Sequence, residues 1–181
     1  MAETQGILND VWDPVNHALR IISAADVVSF PIQSLELVAG ARTTVVTHNV
    51  PRLVLVDGVI TSFAVSFWPP PTWARMGVGF FWTTEGAGAG NVRWRTAVKK
   101  TFLFVDNISA AFTAETTLDY AVPSAPGIIK IEDDEVANFD LSPGFFGAYY
   151  TLFIERVGGH AGDTFTGDVA LLGMYARKNP V

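Results

Sequence analysis

The chain has 181 residues, 49% of them hydrophobic and only 17% charged, with 13 Phe, 5 Trp and 4 Tyr. That is enough for one domain with a full core and a short appendage, and the aromatic, apolar balance excludes a disordered chain and favours strands. The net charge of −6 and isoelectric point near 4.9 argue against a grip on nucleic-acid phosphates or an anionic membrane, and the absence of cysteine excludes thiol nucleophiles, disulfides and Cys-ligated metals.

The first 22 residues differ from the rest. Leu8, Val11, Trp12, Val15, Leu19 and Ile22 recur at helical spacing, and Asp13-Pro14 reads as an N-cap followed by proline at the first helical position. Two forms fit: a short amphipathic helix near 14–21, or an extended arm whose Trp12 and Leu19 plug into a neighbour. These apolar residues have no partner within their own segment, so the arm either anchors in another protein or packs back on its own domain. The opening lacks a basic stretch and a continuous apolar run, which predicts a chain made in a cytoplasm without an N-terminal export signal. No segment reaches the roughly 20 apolar residues of a membrane span.

From residue 26 short apolar runs alternate with turn residues. Predicted strands are 26–30, 34–38, 43–48, 52–58, 59–68, 75–84, 91–99, 101–105, 108–114, 127–132, 148–157 and 168–178. Several alternate with period two. In 59–68, Phe63, Val65 and Phe67 oppose Ser62, Ala64 and Ser66. In 75–84, Met76, Val78, Phe80 and Trp82 oppose Gly77 and Gly79. In 91–99, Val92, Trp94, Thr96 and Val98 oppose Arg93 and Arg95. This pattern marks half-buried antiparallel strands. With turn signals at VDG, WPPPTW, EGAGAGN, SAPG and VGGHAGD, it predicts an all-β antiparallel jelly-roll-like sandwich over 25–181, preceded by an N-terminal arm over 1–24.

Few residues carry chemistry in their spacing. Asp163 and Asp168 stand five apart among glycines and, with Thr164 and Thr166, loosely fit a Ca²⁺ loop, yet they lack EF-hand spacing. The favoured reading makes them turn residues before the last strand, bonded to local N–H groups. The acidic run Glu132, Asp133, Asp134 and Glu135 reads as a solvated hairpin loop, with binding of a cation or of a basic partner as the alternatives. His17, His48 and His160 form no metal motif, and no GxSxG is present. GAGAGN (86–91) has no following helix, so it reads as a hairpin connection rather than a phosphate loop. In WPPPTW (68–73) three prolines fix a loop flanked by Trp68 and Trp73. Exposed, these would stack on sugars or dock a partner; turned inward, they would cap the sandwich.

Three segments carry a resemblance. NDVWDPVNHALRI (9–21), GNVRWRTAVK (90–99) and AGDTFTGDVALLGMYARK (161–178) resemble stretches of accessory structural proteins of tailed bacteriophages, in which an arm precedes a jelly-roll domain. The segments HNVPRLVLVDG and WPPPTW depart from that pattern. The resemblance implies that Asp163 and Asp168 form the turn before the final strand, with Val169, Leu171 and Tyr175 on one face. It also implies a non-enzymatic virion protein of fibre, decoration or tail type, without a cofactor. Its arm would dock on capsid, portal or tail, and its β-domain would self-associate, with a trimer favoured. A host-surface glycan is a further expected partner.

The alternative from another class is a carbohydrate-binding module using Trp68, Trp73 and either Trp82 or Trp94 on an open face. A sandwich glycosidase or lyase would instead need two facing carboxylates in a cleft.

Overall fold

The computed structural model describes residues 26–47, 50–102, 111–141 and 148–179, together with a short backbone pairing of β1 (Trp12–Asp13) with β2 (Ala18–Leu19). Trp12 stands opposite Leu19, so these two positions are extended where the spacing also allowed a helix. Leu8, Val11, Val15 and Ile22 lie outside the described residues, as do the side chains of Trp12 and Leu19.

The domain is a two-sheet antiparallel sandwich, as the alternation predicts. Its strands are β3 (Val27–Pro31), β4 (Glu36–Ala39), β5 (Thr43–Thr47), β6 (Val50–Leu55) and β7 (Ile60–Phe67), then β8 (Arg75–Thr84), β9 (Asn91–Phe102), β10 (Ala114–Ala121), β11 (Lys130–Asp140), β12 (Ala148–Val157) and β13 (Val169–Lys178). One 3₁₀ turn, Ile32–Ser34, separates β3 from β4. The first sheet runs β10-β9-β12-β7-β4 and the second β11-β8-β13-β6-β5. β13 pairs with β8 on one side and with β6 and then β3 on the other. One lateral edge of the sandwich is therefore β4 and β5, joined by residues 40–42, and the other is β10 and β11, which lie against each other.

The core forms where the two inner faces meet. Phe63, Val65 and Phe67 of β7, Met76, Val78, Phe80 and Trp82 of β8, and Val92, Trp94 and Val98 of β9 are all buried, as their phase predicts. Phe80 and Trp82 both pack on Trp94, with ring centroids 4.9 and 5.7 Å apart. Tilted and edge-on pairs of this kind add to the area term, because each ring's positive edge meets a negative face.

The structure corrects several expectations. Residues 91–102 form one long strand, where two were expected. β10 was not anticipated. The acidic run belongs to the backbone of edge strand β11, with a bulge between Asp134 and Phe139, rather than to a hairpin loop. Charged residues suit an edge strand, since they oppose pairing with stray strands. Glu132 is half-buried: Trp82 Nε1 donates to its Oε1 at 3.3 Å and Lys130 lies 3.5 Å away.

A second bulge, between Leu171 and Gly173, shifts the phase of β13. Val169 and Leu171 point into the core, but Tyr175 points outward, while Met174 and Ala176 take the inward positions. An extra residue in a strand reverses every side chain beyond it, so the three do not share a face. Tyr175 lies flat over Gly79 on β8, where a Cβ would sit 2.1 Å from its Cζ. Gly79 is thus a place where a ring crosses bare backbone.

Candidate functional site

Two places gather polar or aromatic side chains that sequence reasoning singled out. The first is the loop before β13. Arg156 lies on β12 in the same phase as Leu152 and Ile154, so strand geometry sends its guanidinium toward the core, and it is wholly buried. An arginine there must find acceptors for its donors. Asp163 supplies two, from Nε at 2.9 Å and Nη2 at 3.3 Å, with neither side chain exposed. Nη2 also reaches Asp57 Oδ1 and the Phe165 carbonyl, both at 3.1 Å. Nη1 donates to the carbonyls of Leu55 at 3.1 Å and Gly167 at 2.9 Å. Asp168 Oδ1 accepts from the Asp57 backbone N–H at 2.9 Å.

Asp163 and Asp168 are therefore structural. The turn-residue expectation is right in kind but not in partner: Asp163 serves an arginine, and Asp168 accepts from the N–H of Asp57, distant in sequence, rather than from a local one. Asp163 is sealed against Arg156, and its side chain is closed off from solvent. Among the described residues no three His, Cys, Asp or Glu side chains gather as a metal set. His160 Nδ1 accepts from the Gly162 N–H at 3.0 Å.

The second place is the outer face of the β10-β9-β12-β7-β4 sheet. WPPPTW divides between inside and outside. The Trp73 N–H closes a turn onto the Pro70 carbonyl at 3.0 Å, and the indole is 3% exposed, so Trp73 caps the core. Trp68 follows β7 in the phase of Ser66 and is 58% exposed. Its ring stands 6.0 Å from that of Tyr149, inclined by 56°. Trp82 and Trp94 are core residues, so the open row of tryptophans expected for a sugar platform is absent. The aromatic pair on this face is Trp68 with Tyr149, and Tyr149 was not singled out. Its phase on β12, shared with Thr151 and Glu155, was the available signal.

Register places a polar row beside that pair. Thr151 stands opposite Ser66 on β7 and Lys99 on β9, and its hydroxyl lies 2.8 Å from that of Ser66. Strands about 4.8 Å apart space these groups across the sheet. One row further, Phe153, Ala97 and Ala64 line up. Phe112 covers Phe153 at 4.9 Å, and the Arg95 guanidinium lies 5.5 Å from both rings. Beyond it Arg95 bonds Glu115 at 2.7 Å and pairs with Glu155 at 3.5 Å, while Arg93 pairs with Asp119. The hydrogen bond that Arg95 donates to Glu115 holds it protonated more firmly than usual, against the opposing effect of burial. The face runs from exposed Trp68 and half-buried Tyr149, through hydroxyls and an ammonium, to charges paired among themselves.

No family model and no curated protein matches the chain. Among solved structures the fold is similar to part of the Arthrobacter globiformis T6 isomalto-dextranase complexed with panose, with TM-score 0.51 and 10% identity over 87% of this chain and 24% of that one. It is similar to part of the Podospora anserina GH26-CBM35 β-(1,4)-mannanase, with TM-score 0.50 and 9% identity over 87% and 28%. The insecticidal delta-endotoxin Cry8Ea1 of Bacillus thuringiensis gives TM-score 0.50 and 10% identity over 88% and 25%. The chain spans about a quarter of each, and the likeness is one of fold.

Proposed function

We propose that this chain is a non-catalytic glycan-binding β-sandwich whose binding face is the outer surface around Trp68 and Tyr149. The observation that carries the reading is the exposed Trp68 indole beside Tyr149, bordered by Ser66, Thr151 and Lys99 on adjacent strands. An indole and a phenol offer flat apolar faces to the C–H side of a sugar ring, and the neighbouring hydroxyls and ammonium bond its hydroxyls. The guanidiniums on this face are paired with carboxylates, so the ligand expected is an uncharged polysaccharide. Those same pairings, and the sealing of Asp163, leave these carboxylates ill suited to acid–base work. Two of the proteins that share the fold are named for polysaccharides, a mannanase and a dextranase, which fits the reading at the level of fold.

Affinity electrophoresis against soluble mannan, dextran, xylan and mixed-linkage glucan tests this. Retardation by at least one of them is expected, and Trp68→Ala weakens it by about 2 kcal/mol, roughly 30-fold, as loss of a central aromatic anchor does. Retardation unchanged in Trp68→Ala and Tyr149→Ala would refute the face.

A second reading keeps the virion structural role, with the arm docking and the β-domain assembling. It has support in the exposed apolar residues at the sandwich edges. Labelling purified virions with antibody to the chain tests it, and particles devoid of the chain would end it.

A further inference from the structure

The outer face of β12 alternates large, small and large, with Tyr149, Thr151 and Phe153. Side chains two apart on a strand share a face, so Tyr149 and Phe153 stand about 13 Å apart along it, with the short Thr151 between them. The flanking strands extend this row. Ser66 on β7 and Lys99 on β9 both stand opposite Thr151, and Trp68 lies just beyond Ser66 at the end of β7.

Phe112, which precedes β10, raises the far side. Its ring covers that of Phe153, with centroids 4.9 Å apart and planes inclined by 44°. Phe153 is 4% exposed beneath it, whereas Ser66 is exposed and Thr151 and Lys99 are half-buried. The Arg95 guanidinium lies 5.5 Å from both rings and is itself held by Glu115 and Glu155, so Phe112 has a fixed seat. Across three strands the face is thus a trough. Ser66, Thr151 and Lys99 form its floor, Trp68 and Tyr149 one wall, and Phe112 on Phe153 the other.

We infer that this trough is a cleft for one extended polysaccharide chain, which crosses the strands over Ser66, Thr151 and Lys99 with Phe112 as its second aromatic wall. The inference rests on the glycan reading of this face. It adds a contact residue, Phe112, and a ligand class: single chains in solution rather than the flat surface of a crystalline polysaccharide. A flat solid meets a flat platform. Here Trp68 and Tyr149 are inclined by 56°, and the short hydroxyl side chains lie below the rings, where an isolated chain reaches them and a crystal face does not.

Affinity electrophoresis against the soluble polysaccharide that retards the protein most, with depletion by microcrystalline cellulose in parallel, tests this on the wild type, Trp68→Ala, Phe112→Ala, Phe112→Leu and Phe112→Tyr. The wild type should be retarded by the soluble chain and remain in solution over the cellulose. Phe112→Ala should weaken retardation about tenfold, and Phe112→Tyr, which keeps the ring, should retain it. Phe112→Leu keeps an apolar cover on Phe153 without a flat ring, so it should unfold in urea as the wild type does and still bind weakly. If Trp68→Ala weakens retardation while Phe112→Ala and Phe112→Leu leave it at full strength, the cleft is overturned and the Trp68 face stands. Adsorption of the wild type to cellulose would have the same meaning. Retardation that no variant changes, or none by any glycan, would overturn both.

Discussion

Arg156 and Asp163 form an ion pair, 2.9 Å from Nε to Oδ2, in which neither side chain touches solvent. This one contact decides how the glycine-rich loop before the last strand is read. The carboxylate balances a cation that strand phase has driven into the interior, and the surrounding carbonyls complete the guanidinium's bonds. Removing the carboxylate leaves a buried charge without its partner. Asp163→Ala should therefore lower unfolding free energy by about 3–5 kcal/mol in chemical denaturation. Asp57→Ala, whose carboxylate is 41% exposed, should cost under about 1 kcal/mol.

The two tryptophans of WPPPTW should separate cleanly. Trp73→Ala opens a cavity at the end of the core and should cost about 3–5 kcal/mol. Trp68→Ala removes a ring that is mostly in solvent and should change stability by less than about 1 kcal/mol, while it weakens glycan retardation. Urea unfolding of the two variants side by side measures the difference.

The crossing of Tyr175 over Gly79 leaves no room for a methyl group. Gly79→Ala should cost about 1–3 kcal/mol in thermal unfolding, the usual penalty of overpacking. In a Tyr175→Ala background the same change should cost clearly less, because the ring that it strikes is gone. Equal costs in the two backgrounds would place the strain elsewhere.

Tyr150 is pushed up to about 12, chiefly by burial and next by Asp140. Its ordinary value is 10.0. The folded chain then holds this proton where the unfolded chain releases it, so stability should fall as pH rises from 10 to about 12. Tyr150→Phe should flatten that decline. Denaturation across the alkaline range, with phenolate absorbance recorded in parallel, checks both.

Much of the sandwich was legible because apolar alternation and burial coincide in β7, β8 and β9. Phe63, Phe80 and Trp94 sit where their phase puts them. β10 was hidden because AETTLDYA is an edge strand. Its inward Leu118 stays 39% exposed, and its outward Glu115 and Asp119 answer Arg95 and Arg93, a pairing that only register shows. The acidic stretch looked like a loop because an edge tolerates charge that an inner strand does not. Tyr175 was assigned to the wrong face because a bulge, invisible in the residue types, reverses the phase after Leu171.

The candidate site was half legible. WPPPTW marked the right loop, yet nothing in its residues says which indole turns inward. Trp68 continues the outward phase of Ser66, while Trp73 is drawn down by the turn onto Pro70. Arg156 could have been found from its place in the apolar phase of AYYTLFIERV, which demands a carboxylate nearby in the fold.

The measurement that bears most directly on the central claim is an amide and side-chain chemical-shift map of the ¹⁵N-labelled chain titrated with the polysaccharide that retards it most. Shifts should concentrate at the Trp68 indole N–H and along Ser66, Tyr149, Thr151 and Lys99. Shifts confined to other surfaces, or none with any glycan, would contradict it.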